Sequence, residues 1–303
     1  MKGGVGKTTL TVNLATCLVK HHRKRVLVVD LDPQISATLS LMPPKTFAKL
    51  RKAQRTLKFL LQDAIKSNFK HDVGIQEVIQ PYAGSLLGID VLPGDIDLYN
   101  DFLVAETLYR KALRNPDRNF DRVWADFEAQ LMSGILKPIV DDYDFIFLDC
   151  APSYNLLTRS SLVASDFYLV PAKPEPLSYI GMQLLERQLT KLIETHKDDG
   201  YMKAQLIGIV FTMSKNLLSG RYYNEIIKRV RNDFNDAQLF KTTIPVDINV
   251  SKAVDSFRPV VLDSPNSSGA KAFANLASEF LKKLSDLQGK DTPQNKFKLS
   301  KLD

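Results

Sequence analysis

A glycine-rich segment at the start of the sequence has the composition of a phosphate-binding loop. Residues 2–9 read Lys-Gly-Gly-Val-Gly-Lys-Thr-Thr, and an amphipathic helical pattern follows over residues 10–20. Glycines let successive backbone amides turn toward an anion, and the helix N-terminus adds partial positive charge. Lys7 could then reach the β and γ phosphates of a triphosphate, and the Thr8 hydroxyl could ligate Mg²⁺. The alternative is a glycine-rich turn without a ligand. The predicted nucleotide-binding residues are Lys2, Gly3, Gly4, Val5, Gly6, Lys7, Thr8 and Thr9.

Acidic residues follow two short hydrophobic runs that are typical of buried parallel strands. Residues 25–29 lead into Asp30 and Asp32, and residues 145–148 lead into Asp149. Ligands bind at the carboxyl ends of strands in open α/β sheets, so we expect both acidic ends to converge on the phosphate loop. A carboxylate after a strand can also be only the N-cap of the next helix.

These segments, together with several others along the chain, resemble the ParA/MinD superfamily of deviant Walker-motif ATPases, and more closely its ParA (Soj-like) branch. The resemblance extends over nearly the whole sequence. The segments that carry it are residues 2–9, 30–34, 88–94, 144–152, 174–181, 208–213, 244–245 and 267–280.

The resemblance implies a role for individual residues. Lys2 matches the signature lysine that reaches the nucleotide of the partner subunit in an ATP-bound dimer. Asp32 matches the residue that positions the attacking water, and Asp149 matches the carboxylate that holds Mg²⁺ through water. Phosphoryl transfer needs an in-line water, charge neutralisation and positioning, which these residue types supply. The predicted catalytic residues are Lys2, Lys7 and Asp32, and the predicted metal ligands are Thr8 and Asp149.

A later segment matches the stretch that contacts adenine in the family, and this match assigns Pro245 and Asp247 to the nucleotide site. The chain departs from the family immediately afterwards. The family often reads Arg-Asn-Val-Arg-Leu-Ser-Glu-Ala, whereas residues 246–253 read Val-Asp-Ile-Asn-Val-Ser-Lys-Ala. Two arginines are therefore replaced, and Lys252 becomes a candidate for contact with DNA.

The formal net charge of +7 is concentrated in one part of the chain. Residues 45–70 contain eight basic residues and one acidic residue. Their leucines and isoleucine recur at helical spacing, which predicts a helix with one buried and one basic face. Such a face either binds a polyanion or is an ordinary solvated surface.

A second basic cluster falls in residues 221–234, where an apolar stripe predicts another amphipathic helix. Arg221, Lys228 and Arg231 share the face opposite that stripe, a layout suited to following a phosphate backbone. Glu225 and Asp233 dilute the positive charge. The predicted DNA-binding residues are Arg221, Lys228, Arg231 and Lys252.

The patterns predict an α/β fold of the P-loop NTPase type: a doubly wound, mostly parallel sheet with helices on both faces. Residues 1–287 are expected to form a single ATPase domain, and residues 288–303 a polar tail. The four histidines lack metal spacing and are expected at the surface. The strands are predicted near residues 25–30, 89–92, 145–149, 167–171 and 206–211, with a sixth at 240–244.

The family places a central β-strand immediately before the phosphate loop, and the sequence begins at the loop itself. We therefore expect that this first strand is missing from the chain, either because the start site was assigned too late or because of a truncation. Its absence would leave two neighbouring strands unpaired and a gap between them.

The resemblance implies an ATPase that dimerises on ATP, binds DNA non-specifically, and releases it when a ParB-like adaptor stimulates hydrolysis. A MinD-like ATPase that acts at a membrane is the alternative, although the tail lacks an amphipathic helix, so we expect no stable membrane association.

A relative of the nitrogenase iron protein would need paired cluster-ligating cysteines, and the chain has only Cys17 and Cys150. Two cysteines also indicate a reducing compartment, so we expect a cytoplasmic, nucleoid-associated protein.

Overall fold

The computed structural model describes residues 4–67, 74–114, 119–197, 200–214, 221–234 and 236–289. Lys2 and Gly3 of the predicted nucleotide site lie outside the described residues, as do residues 290–303 of the predicted tail. No helix in the described part of the chain is both long and apolar enough to span a bilayer.

Helices alternate with short strands along the chain. The strands are β1 (Val26–Leu31), β2 (Ile89–Leu92), β3 (Phe145–Cys150), β4 (Phe167–Ala172), β5 (Gln205–Ser214) and β6 (Ile244–Pro245). The helices are α1 (Lys7–His22), α2 (Ser36–Leu41), α3 (Pro44–Lys52), α4 (Leu57–Ser67), α5 (Ile75–Val78), α6 (Asp101–Leu113), α7 (Phe120–Leu136), α8 (Leu156–Ala164), α9 (Pro176–Thr195), α10 (Arg221–Asp233), α11 (Ile248–Asp255), α12 (Val260–Asp263) and α13 (Ser268–Gln288).

All described strand pairs are parallel, which confirms the α/β fold. The strands form two three-stranded sheets, ordered β2-β1-β3 and β4-β5-β6. Every residue of β1 is buried, because helices cover both of its faces. Val26 and Val28 pack into a core with α1 and α13, whereas Leu27 and Val29 pack into a second core with α4 and α7.

The two sheets are separated by a cleft of about 1320 Å³. Residues 145–150 of β3 and 167–172 of β4 line it, together with Val5 and Lys7. Among the described residues, no backbone pairing joins β3 to β4. The described strands therefore lie in two sheets with a gap between β3 and β4, and a gap between two unpaired strands is what the sequence predicts. The absence of the strand that the family places before the loop stays a prediction.

The sixth predicted strand is largely wrong. Only Ile244 and Pro245 pair with β5, and Leu239 makes an isolated bridge to Ile209. The chain lies close to β5 at Leu239 and Phe240: the amide of Phe240 donates to the carbonyl of Ile209 at 3.0 Å, and a Cβ on Gly208 would lie 2.8 Å from the ring of Phe240. Strand pairing resumes only at Ile244.

Two other expectations also fail. The basic segment does not form one helix, because Gln54 adopts a left-handed conformation (φ 62°) between α3 and α4; residues 68–73 lie outside the described residues.

His196 is not at the surface: it is 1% exposed, and its Nε2 lies 3.0 Å from Oε1 of Glu128. Arg159 pairs with the same carboxylate, at 2.7 Å, and this ion pair offsets the cost of burying the charge of Glu128.

Candidate functional site

The phosphate loop ends at a helix N-terminus that no side chain caps. Gly4 (φ 74°) and Gly6 (φ 83°) both adopt the left-handed conformation that favours glycine, and Gly6 is the N-cap of α1. A Cβ at either glycine would meet no atom within 4 Å, so the space in front of the loop is open. The first turn of α1 has no acidic residue to offset its positive end. The loop can therefore receive an anion through its backbone amides.

Lys7 begins α1 and is half-buried beside two carboxylates. Burial lowers the pKa of its ammonium group, and the negative charges of Asp149 and Asp32 oppose that shift. The ammonium is thus held where the acidic strand ends converge, as the sequence predicted. It is placed to bind a phosphate group that approaches the loop.

Asp149 near the end of β3 is only 1% exposed. Its Oδ1 accepts a hydrogen bond from Thr11 Oγ1 at 3.1 Å, while its buried Oδ2 meets no donor with hydrogen-bond geometry among the described residues. Burial, and next the charge of Asp30, raise the pKa of Asp149 to about 7, although the hydroxyls of Thr8 and Thr11 lower it in part. A buried carboxylate oxygen that lacks a donor, next to a threonine hydroxyl, fits Mg²⁺ and its water ligands.

Asp32 lies in the turn that follows β1 and is 8% exposed. Its Oδ1 accepts a hydrogen bond from the amide of Gln34 at 3.0 Å, and its carbonyl accepts one from the amide of Ile35 at 2.8 Å. Among the described residues, no donor forms a hydrogen bond with its second carboxylate oxygen. β1 and β3 pair with Asp30 opposite Asp149, which brings the turn of Asp32 next to Asp149.

Several residues that hold the site were not found from the sequence. The hydroxyl of Thr212 in β5 donates to the carbonyl of Val5 at 2.7 Å and thereby fixes the phosphate loop to the second sheet. Thr11 lies one turn after Lys7 and contacts Asp149. The helical spacing of Thr11 in the loop helix was a usable signal, but nothing in the sequence pairs Thr212 with a residue about two hundred positions earlier.

The resemblance placed two residues, Pro245 and Asp247, near adenine. Pro245 in β6 pairs with Ser214 of β5, and the preceding residue, Ile244, pairs with Thr212. Asp247 caps helices: it accepts hydrogen bonds from the amides of Asn249 (2.8 Å) and Gly269 (2.7 Å) and from the hydroxyl of Ser268 (2.8 Å). Burial alone would raise the pKa of Asp247, but these donors lower it to about 2.

The predicted DNA-binding residues lie on α10 and α11, outside the nucleotide site. Lys228 and Arg231 are exposed on α10, and Lys252 is exposed on α11. The side chain of Arg221, the first residue of α10, lies outside the described part of the structure.

Comparison with known proteins agrees with this geometry. The AAA domain family AAA_31 matches residues 1–202. The sporulation initiation inhibitor protein Soj of Bacillus subtilis (strain 168) is 30% identical over 281 residues, which cover 92% of this chain and 94% of Soj. The chromosome partitioning protein ParA of Caulobacter vibrioides is 30% identical over 292 residues, which cover 95% of this chain and 94% of that protein.

Solved structures share the fold at lower sequence identity. Apo McdA from Cyanothece superposes with a TM-score of 0.67 at 19% identity, covering 92% of this chain and 96% of McdA. Cobyrinic acid a,c-diamide synthase from Mycobacterium smegmatis, with bound ATP analog and magnesium, gives a TM-score of 0.65 at 22% identity and covers 96% and 95% of the two chains. Taken with the sequence relatives, the matches show that this chain belongs to the ParA/Soj-like partition ATPases of the ParA/MinD family.

Proposed function

We propose that this protein partitions DNA: it binds ATP with Mg²⁺, closes into a homodimer, binds DNA non-specifically, and releases the DNA upon hydrolysis stimulated by a ParB-like adaptor. One ATPase domain, residues 1–287, carries this cycle. The observation that carries the proposal is the convergence of Lys7, Asp32 and Asp149 at an uncapped helix N-terminus. Partition as the purpose of the cycle is supported by similarity to proteins named for chromosome partitioning.

The residues of the site divide the chemistry between them. The loop amides and Lys7 bind the phosphates, and Lys2 of each subunit reaches the nucleotide of the other subunit. Thr8 and Asp149 hold Mg²⁺, which neutralises charge on the phosphate oxygens when bound. Asp32 orients the attacking water through its carboxylate. Because Asp32 acts only in the hydrolysis step, its removal lowers the rate without weakening ATP binding.

Two variants test this division of roles. We expect Lys7→Ala to abolish ATP binding, measured with a fluorescent ATP analogue, because the ammonium group binds phosphate in the ground state. We expect Asp32→Ala to bind ATP within about twofold of the wild type but to hydrolyse it at least about 100-fold more slowly, in the range measured for removal of one group that stabilises a transition state. Equal loss of ATP affinity in both variants would contradict the assignment.

DNA binding is tested in the Asp32→Ala background, which holds the ATP-bound state. A dimer doubles the number of cations available to one duplex, so binding should require ATP and weaken steeply with salt. Reversing Lys228 and Arg231 to Glu should weaken binding to all sequences alike and reduce the salt slope by roughly one for each phosphate that the protein no longer neutralises. Reversing Lys45 and Lys49 on α3 tests the other basic surface in parallel.

The same samples separate DNA from a membrane. Co-sedimentation with plasmid DNA and with anionic liposomes should give ATP-dependent binding to DNA alone. Binding to liposomes instead would favour the MinD-like alternative. If neither pair of reversals lowers DNA affinity, both basic surfaces are ordinary solvated faces, and DNA binding must lie elsewhere or be absent.

A further inference from the structure

The carboxylate of Asp30 joins three segments that meet beside the site. Asp30 is fully buried near the end of β1. Its Oδ2 accepts hydrogen bonds from the amide and the hydroxyl of Thr38 in α2, at 2.8 and 2.7 Å. Its Oδ1 accepts one from the amide of Asp32 at 3.2 Å. One side chain therefore holds both the turn that carries Asp32 and the helix that follows that turn.

The third segment is the loop after β2. The amide of Gly94 donates to the hydroxyl of Thr38 at 3.0 Å, so this hydroxyl accepts from Gly94 and donates to Asp30. A Cβ on Gly94 would lie 2.8 Å from the carbonyl oxygen of Asp30, closer than two such atoms can pack. The position thus admits only glycine without a shift of β1 or of the loop. We call the contacts of the Asp30 carboxylate with the amide of Asp32 and with Thr38, together with the bond from Gly94 to Thr38, the Asp30 latch.

The turn between Asp32 and Thr38 carries strain that the latch must offset. Ile35 has φ 51°, a left-handed conformation that is a genuine outlier for a β-branched residue. Its side chain is nevertheless buried in the core, at 8% exposure. Conformations of this kind persist only where the surrounding structure determines them from several sides. Here the buried side chain of Ile35 fixes the middle of the turn, and the Asp30 latch fixes both ends.

We propose that Asp30 and Thr38 are positioning residues for ATP hydrolysis, which hold the Asp32 carboxylate at the angle needed to orient the attacking water. The inference rests on the proposed function. We assign neither residue a role in binding ATP. Both carboxylate oxygens of Asp30 already accept hydrogen bonds within the latch, and the Thr38 hydroxyl bonds Asp30 and Gly94. A misplacement of about 1 Å in a catalytic group can cost roughly 100-fold in rate, so a loosened latch should act on the rate of hydrolysis.

The experiment compares three threonine variants of the full chain. Thr38→Val removes the latch hydroxyl, and Thr38→Ser retains it. Thr56→Val is the matched control, because Thr56 is also fully buried and donates to a buried carboxylate, Asp95, at 2.9 Å, yet does not contact the turn of Asp32. The readouts are kcat, the Kd for a fluorescent ATP analogue, and amide hydrogen exchange of residues 31–38 and 93–95 without nucleotide.

We expect Thr38→Val to lower kcat by about 10- to 100-fold while the Kd changes less than about twofold, and Thr38→Ser to recover most of the rate. Exchange should rise in both peptides in Thr38→Val, but not in residues 31–38 of Thr56→Val. The proposal is wrong if Thr38→Val and Thr56→Val lose equal activity, or if the turn loosens while kcat is unchanged. If the wild type binds ATP without hydrolysing it, the proposed function is wrong. If amide exchange of residues 31–38 is unchanged in Thr38→Val, the claim that the Asp30 latch holds this turn is wrong, whatever the result for the proposed function.

Discussion

Replacement of Asp247 by Ala separates a structural role from a nucleotide contact. The carboxylate is the side-chain cap of α11 and also accepts from the amide of Gly269 in the first turn of α13. Loss of an N-cap costs about 1 kcal/mol, so two helix N-termini give about 2 kcal/mol. We use this central value for each helix rather than the upper end of the costs measured for N-caps, because α13 retains its own cap: the Ser267 hydroxyl accepts a hydrogen bond from the amide of Ala270.

The depressed pKa of Asp247 gives the same prediction a pH dependence. The folded-state pKa is about 2, below the ordinary value of 3.8. The ionised carboxylate therefore stabilises the fold at pH values above about 4, and this contribution is lost as the pH falls through 2. The carboxylate is partly exposed, so solvent screening reduces the stability that the shift alone would suggest, and the capping estimate is the better guide.

The assay measures thermal unfolding and ATP affinity for Asp247→Ala together with a control, Asp255→Ala. Asp255 is an exposed carboxylate at the C-terminal end of α11, where negative charge does not stabilise the helix. We expect Asp247→Ala to lower the melting temperature by about 4–8 °C, at roughly 2–4 °C per kcal/mol, and the control to leave it unchanged. A variant that melts like the wild type but binds ATP more than tenfold more weakly would refute the capping argument and establish a nucleotide contact.

Three further perturbations follow from the structure. Because the pKa of Asp149 is raised to about 7 and Mg²⁺ needs the ionised carboxylate, the affinity for Mg²⁺-ATP should rise between pH 6 and 8, whereas the affinity for ATP in EDTA should not. Glu128→Gln should lower the free energy of unfolding by about 3 kcal/mol in urea titrations, since it leaves Arg159 without its buried partner, and Glu106→Gln on exposed α6 should have little effect. Fusion of about six Val- and Ile-rich residues before Met1 should raise the melting temperature and the ATP affinity together, by pairing with β3 and β4 across the cleft; a polar Ser-rich fusion of equal length should do neither.

The expected surface histidine shows where local patterns are insufficient. Nothing near His196 in the sequence indicates burial, because its partner Glu128 is 68 residues away on another helix. The break between α3 and α4 is similar: the apolar spacing is continuous across Gln54, although Gln54 adopts the left-handed conformation between the two helices. Helical periodicity reports which face is apolar, but not where a helix stops.

The sequence by itself determined the phosphate loop, the acidic ends of β1 and β3, and the parallel α/β fold. These depend on residues adjacent in the chain: glycine conformations, β-branched runs and the start of a helix. Only the tertiary structure decided the partners that fix the site. Thr11 and Asp149 are 138 residues apart, Gly94 and Thr38 are 56 apart, and Thr212 and Val5 are 207 apart. Hydrogen bonds over such separations form only when packing brings the strand ends to one edge, and no local spacing encodes them.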